Sequence, residues 1–415
     1  MNLVKTSFFS GLNTLVTLIF RLISNKIVAV YLGTNGMFLL GQLKDFINIS
    51  STVGNLGTTN GIIKYTAEYK DEPKKLNPFL DSGLKIHLYS AIVVCVMTLT
   101  FRNQISNYFF NDLKFSNSLV LLAFSFVTLS LQSFFMAIFN GLKQIVTYVK
   151  INITSTVIST LIMILLVIKL NVIGAFYAMA LNQILVLLIT FIWIKKLPFI
   201  KSNSITPAIN KVHLKNLTKF SLMAIFAPLC LISATLFARF YLNHNLGSNY
   251  AGSWEGMWRL SAIYVMFITT TFQFYLLPTF SRIADTLLKK EIFKVWTYSI
   301  PAIIIATASV YILKDFIIRI IFSDEFLLIN SIILFHLLGD VFKINTWVLG
   351  NVLISKAKTT VYIAFQIAWA IEFSILVILF VKNYGFVGVS YAYFGACVIH
   401  FLTMNFYFRK LLWIK

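Results

Sequence analysis

Long apolar runs broken by short polar stretches carry this chain from end to end. Segments such as Leu161–Ile168 and Ile184–Trp193 show no apolar/polar alternation, so they do not read as strands of a membrane barrel, which alternate over about ten residues. They read as helices apolar on every face. Runs near the roughly 20 residues that one bilayer crossing needs are predicted at 8–32, 37–63, 79–101, 117–140, 146–168 and 172–194 in the first half. The second half gives 217–242, 251–280, 293–313, 326–354, 359–381 and 386–408. The pattern predicts an all-α membrane protein of about twelve transmembrane helices. In hydrocarbon a helix satisfies its backbone polar groups within itself. The first run is too long for a signal-peptide core of about 7–15 residues and is expected to be a retained membrane helix.

The polar breaks add orientation and symmetry. With the N-terminus cytoplasmic, inner loops and tails hold roughly 22 Lys and Arg against 6 in the outer loops. That bias predicts both termini inside. Leu32-Gly33-Thr34-Asn35 recurs as Leu246-Gly247-Ser248-Asn249, Gly174 as Gly388, and Lys195-Lys196 as Arg409-Lys410, all at an offset of 214. Two six-helix pseudo-symmetric lobes are therefore expected, 1–197 and 217–415, joined by a polar cytoplasmic linker at 198–216. An even helix number per half gives both lobes the same orientation, so a parallel repeat about the membrane normal is expected.

Composition narrows the class further. Apolar residues make up 58% and charged residues 12%, where soluble domains run about 45–50% and about 25%. The formal charge of +21 does not argue for nucleic acid, because the cations are strung along loops and not gathered on one module. Cys95, Cys230 and Cys397 lie in separate apolar runs without metal or disulfide spacing. His87, His336 and His400 stand isolated on apolar faces and form no metal constellation. No catalytic or cofactor-binding motif is present, so neither an enzyme nor a cofactor is expected.

Charges inside apolar spans then carry the functional signal, since each costs roughly 2.5–3.5 kcal/mol at the bilayer centre on insertion scales. Lys26 and Arg239 occupy the first helix of each half; Lys44, Glu255 and Arg259 occupy the second. At similar depth they are expected to form a cationic belt facing a shared interior; snorkelling to the outer boundary is the alternative. Glu255 and Arg259, four apart, share a helix face and are able to pair. Arg21 points about 140° away from Lys26. Asp340 and Lys343, three apart, form an ion pair or a coupling site, and Glu372 lies near the midplane. Lys64, Lys85 and Arg282 sit at the cytoplasmic edge, as anchors or, for Lys64 and Arg282, as capture residues for a phosphate head group. Pro228 interrupts the seventh helix and permits a bend.

Several pieces resemble one family. They are Leu32-Gly33…Gly36, Asn60-Gly61-Ile-Ile-Lys64-Tyr65, Tyr275-Leu-Leu-Pro278-Thr-Phe-Ser281-Arg282, Gly339-Asp340-Val-Phe-Lys343 and Ile354-Ser-Lys356-Ala. In this order, over the whole length, they resemble the Wzx-type polysaccharide flippases of the multidrug/oligosaccharidyl-lipid/polysaccharide exporter superfamily, above all those serving O-antigen and enterobacterial common antigen. Glu255 departs from the pattern, which has an uncharged residue after the tryptophan. The resemblance implies two lobes in a MATE-like V around a central cavity in the bacterial inner membrane. It implies translocation of an undecaprenyl-diphosphate-linked oligosaccharide from cytoplasmic to periplasmic leaflet by alternating access, with polysaccharide polymerase and chain-length proteins as partners. A lumen lined with Lys26, Lys44, Arg239 and Arg259 suits a diphosphate. A drug/cation antiporter of the same superfamily would need acidic residues in the first helix, where Arg21 and Lys26 stand. A membrane polymerase would need a large outer loop, and the longest here is roughly 15 residues.

Overall fold

The computed structural model describes residues 3–194 and 211–413, and helices account for nearly all of them. The first half comprises α1 (Leu3–Gly54), α2 (Thr59–Tyr69), α3 (Pro73–Thr100), α4 (Arg102–Phe110), α5 (Ser116–Gly141) and α6 (Ile145–Ile194). The second comprises α7 (Lys211–Leu246), α8 (Ser248–Arg282), α9 (Asp285–Ile312), α10 (Lys314–Ile321), α11 (Ile333–Ser355), α12 (Thr359–Tyr384), α13 (Val387–Tyr407) and the short α14 (Arg409–Leu412). Of the predicted linker, 198–210 lies outside the described residues, as do Lys195 and Lys196; 211–216 already belong to α7.

Nine helices among the described residues are long and apolar enough to cross a membrane. Two of these stretches, 44 and 50 residues long, span about twice the hydrocarbon thickness at 1.5 Å per residue. Each is broken once. Gly33 interrupts α1 at φ 64° and ψ −163°, and Asn171 interrupts α6 at φ 52° and ψ −136°. Each stretch is long enough for two crossings, and α8, 35 residues long but outside those nine, is the further helix that about twelve crossings would need.

The backbone breaks repeat at the sequence offset. Gly33 (φ 64°) pairs with Gly247 (φ 104°), Lys143 (φ 56°) with Ala357 (φ 54°), and Asn171 (φ 52°) with Gly385 (φ 61°), each 214 residues apart. The repeat therefore lives in the turns as much as in the helices. Left-handed positions fix where one crossing ends and the next begins, and glycine fills them without steric cost.

Two boundaries differ from expectation. The predicted continuous helix 37–63 stops at Gly54 and restarts at Thr59, with Leu56 (φ 47°) and Gly57 (φ 62°) left-handed between them. A Cβ on Gly57 would fall 2.7 Å from the Ser221 carbonyl oxygen, so backbone crowding and the positive φ together call for glycine. His87 helps hold this break. Its Nε2 meets Thr58 Oγ1 at 2.9 Å, and its Nδ1 lies 3.1 Å from the Ser130 carbonyl. His87 is therefore a hydrogen-bonded core residue. The predicted helix 326–354 begins later, at Ile333, after a 3₁₀ segment Asp324–Ser331.

The described residues fall into two compact units. One runs up to Leu32 and from Leu39 to Leu229; the other combines Gly33–Phe38 with the chain from Cys230 onward. The first packs Phe79, Phe134, Phe139 and Ile151 at its centre, and the second packs Leu276, Phe280, Ile292 and Val348. Within the second unit the two Leu-Gly turns meet: Thr34 Oγ1 donates to Asn249 Oδ1 at 2.8 Å.

Candidate functional site

The second unit buries an ion cluster on α7 and α8. Arg239 and Glu255 are only 3% and 4% exposed. Glu255 Oε2 accepts from Arg239 Nη1 at 2.5 Å, and its Oε1 accepts from Arg259 Nε at 2.9 Å. The i,i+4 spacing places Glu255 and Arg259 one helical turn apart on α8, while Arg239 approaches from α7. One carboxylate thus joins two guanidinium groups. Such charge-assisted bonds offset part of the large cost of desolvating three ions. Arg259 is half-buried, so one end of the cluster is the more accessible. Snorkelling does not describe Arg239, because its head is buried within the protein and not at a rim.

A second polar centre lies on α11. The Asp340 carboxylate is fully buried. It accepts from Ser261 Oγ at 2.5 Å, from Tyr393 Oη at 2.6 Å, and from the Tyr264 hydroxyl. Lys343 does not pair with it directly; its ammonium donates to Tyr393 Oη at 3.1 Å. The direct ion pair read from the three-residue spacing is replaced by a tyrosine bridge. The ammonium also lies 4.4 Å from the Trp258 ring centre and 5.5 Å from that of Trp347, within cation–π range. His336, expected to be isolated, lies with Nε2 3.9 Å from Asp340 Oδ2 and stacks on Tyr393 with ring centres 4.3 Å apart. Glu372 on α12 is half-buried, and its Oε1 has no hydrogen-bond partner among the described residues.

The remaining predicted residues are spread over other surfaces. Lys26 is half-buried on the first limb of α1, and Lys44 is exposed on the second. Lys64 is exposed, its ammonium 4.9 Å from the Tyr65 ring centre. Arg282 is exposed at the end of α8. Lys85 is taken up by Asp81, with Nζ to Oδ2 at 2.8 Å. Of the five predicted cavity residues, Arg239, Glu255 and Arg259 form one cluster.

Sequence reading missed Asp45 and Asp81, both buried, and the Ser261–Tyr264–Tyr393 shell around Asp340. The i,i+4 spacing of Asp81 and Lys85 could have revealed that pair. Tyr393 stands 53 residues from Asp340, and nothing local announces it. No group of three or more His, Cys, Asp or Glu that could hold a metal occurs among the described residues.

The chain is similar to known proteins over most of its length. A family model described as polysaccharide biosynthesis protein matches residues 40–330. That range includes the Arg239–Glu255–Arg259 cluster and stops short of Asp340. The lipid III flippase of Escherichia coli (strain K12) is 26% identical over 409 residues, covering 97% of both chains. Among solved structures, lipid II flippase MurJ in an inward closed conformation aligns with a TM-score of 0.70 at 15% identity, covering 98% of this chain and 87% of that one. An inward-facing multidrug resistance MATE family transporter of the MOP superfamily aligns with a TM-score of 0.65 at 15% identity over 95% of each chain. The two solved structures show the fold.

Proposed function

The chain belongs to the polysaccharide biosynthesis protein family, and from that premise we propose that it is a flippase for lipid-linked oligosaccharides in the bacterial inner membrane. It moves an undecaprenyl-diphosphate-linked glycan, of the O-antigen or enterobacterial common antigen type, from the cytoplasmic to the periplasmic leaflet by alternating access. The full-length relationship to a lipid III flippase supports this reading, and the observation that carries it is the buried Arg239–Glu255–Arg259 cluster.

A diphosphate bears about two negative charges and does not enter hydrocarbon bare. Guanidinium groups offer planar paired donors that match phosphate oxygens. Glu255 keeps both arginines aligned while the site is empty, at a lower cost than two unpaired buried cations would carry. When the head group arrives, its oxygens share or take over the guanidinium faces that the carboxylate holds. Lys26 and Lys44 are assigned as further cations for the diphosphate, and Lys64 and Arg282 as cytoplasmic-side capture residues for the head group. Asp340, Lys343 and Glu372 provide the charged elements through which an ion gradient would be coupled.

In this reading the lobes are 1–197 and 217–415, the linker expected at 198–216 gives over its last residues, 211–216, to α7, and both termini are cytoplasmic. Polymerase and chain-length proteins receive the product on the outer side. The fold is shared with a multidrug transporter, but two guanidinium groups gathered on α7 and α8 favour an anionic cargo over a cationic drug.

Deletion of the gene tests the proposal. Lipid-linked repeat units are expected to accumulate on the cytoplasmic side, with loss of the surface glycan; normal display in the deletion strain would overturn it.

A further inference from the structure

A cavity of about 350 Å³ lies within the second unit, where α8, α11, α12 and α13 converge. It shares no residue with the Arg239 cluster and borders the Asp340 centre through Trp347, whose ring also faces the Lys343 ammonium. Phe272 and Trp347 give it aromatic wall, and Asn351, Tyr362, Gln366 and His400 give it polar groups. Asn351 Nδ2 donates one of its two hydrogens to the Trp347 carbonyl at 2.8 Å. The Tyr362 hydroxyl, the Gln366 amide and the His400 ring nitrogens form no hydrogen bond with any described residue; the His400 ring rests edge-on against Phe365.

Polar groups left unpaired inside a membrane bundle cost free energy unless something else meets them. No Lys, Arg, Asp or Glu lines the space, so it is not built for a phosphate or an ammonium group. A polyprenyl tail would fill the volume and leave the amide, phenol and imidazole unmatched. A sugar ring answers both features. Its hydroxyls meet neutral donors and acceptors, and its C–H face lies against an aromatic wall, in a volume at the small end of ligand pockets, roughly 300–1,000 Å³.

We propose that this cavity is a sugar subsite, binding one neutral glycan residue of the lipid-linked cargo while the arginine cluster engages the diphosphate. The proposal rests on the flippase reading and adds that the C-terminal unit senses the glycan as well as the head group.

The test uses the full chain in lipid nanodiscs and native mass spectrometry. Two probes are compared: bare undecaprenyl diphosphate, and the lipid-linked glycan extracted from the deletion strain. The native protein is expected to prefer the glycan-bearing lipid about tenfold. In the double variant Tyr362→Phe with Gln366→Met, which removes polar atoms and nearly keeps shape, the preference should fall to within about twofold. Its affinity for the bare lipid should stay unchanged. A preference that survives in the variant, or is absent from the native protein, overturns the subsite and leaves the flippase reading standing. If neither lipid binds the native protein, the flippase reading fails and the subsite falls with it. Should the double variant lose the bare lipid through misfolding, Gln366→Met alone supplies the same comparison.

Discussion

The two halves share a backbone plan and differ in what they bury. In the first unit the polar centre at the 55–58 break is a neutral set, His87 with Thr58 and Ser130. The first unit also buries two carboxylates, Asp45 and Asp81, while the second buries Glu255 on α8 and Asp340 on α11 and adds a buried cation, Arg239 on α7. The left-handed turns recur at the repeat offset, but these charges do not. Duplicated turn geometry is what a repeated fold requires. Unmatched buried charge is what a fold does not require, and it therefore points to function.

The comparison breaks first at Asp340. Asp340→Ala would strand three hydroxyl donors and the lysine bridged through Tyr393, so a loss of about 3–5 kcal/mol is expected. It would be read as lost membrane accumulation or a large drop in thermal midpoint. The neutral counterpart, His87→Phe, should cost less, about 1–3 kcal/mol. Equal losses would mean that the two polar centres are energetically alike.

Glu255→Gln follows. It replaces the carboxylate that joins buried Arg239 to half-buried Arg259 by a neutral amide and should destabilise by about 2–4 kcal/mol, with surface glycan reduced even where protein level is restored. Normal display at normal level would remove Glu255 from any role in ordering the arginines.

The turns offer finer contrasts. Gly33→Ala meets both a positive φ and Glu325, whose Oε2 lies 2.5 Å from the added Cβ, whereas nothing lies within 4 Å of a Cβ on Gly247. Both changes should cost roughly 1–3 kcal/mol of backbone strain, with Gly33→Ala the worse in thermal unfolding. Asn171 occupies the position that Gly385 fills in the second half. Asn171→Gly should therefore be neutral or raise stability by less than about 1 kcal/mol. A clear loss would show that the Asn171 side chain matters beyond its turn.

The helices, the repeat offset and the Glu255–Arg259 pair were legible in the sequence, because apolar run length and i,i+4 spacing are local signals. The break at Leu56–Gly57 was hidden inside an apolar run, and the Ser221 backbone that leaves no room for a side chain at Gly57 is far away in sequence. The same distance concealed the Asp340 centre. Ser261 and Tyr264 come from α8 and Tyr393 from α13, so a lysine three residues from Asp340 suggested a pair that Tyr393 in fact mediates. His336 read as isolated for the same reason.

The central claim is that Arg239 and Arg259 receive an anionic lipid head group. Transport of a fluorescent undecaprenyl-diphosphate oligosaccharide across proteoliposomes measures this directly, comparing native protein with Arg259→Gln and with Arg259→Gln combined with Lys44→Gln. The single change should slow transfer by at least about tenfold and the pair should abolish it, with both variants folded and inserted. Native transfer rates in both would contradict the account.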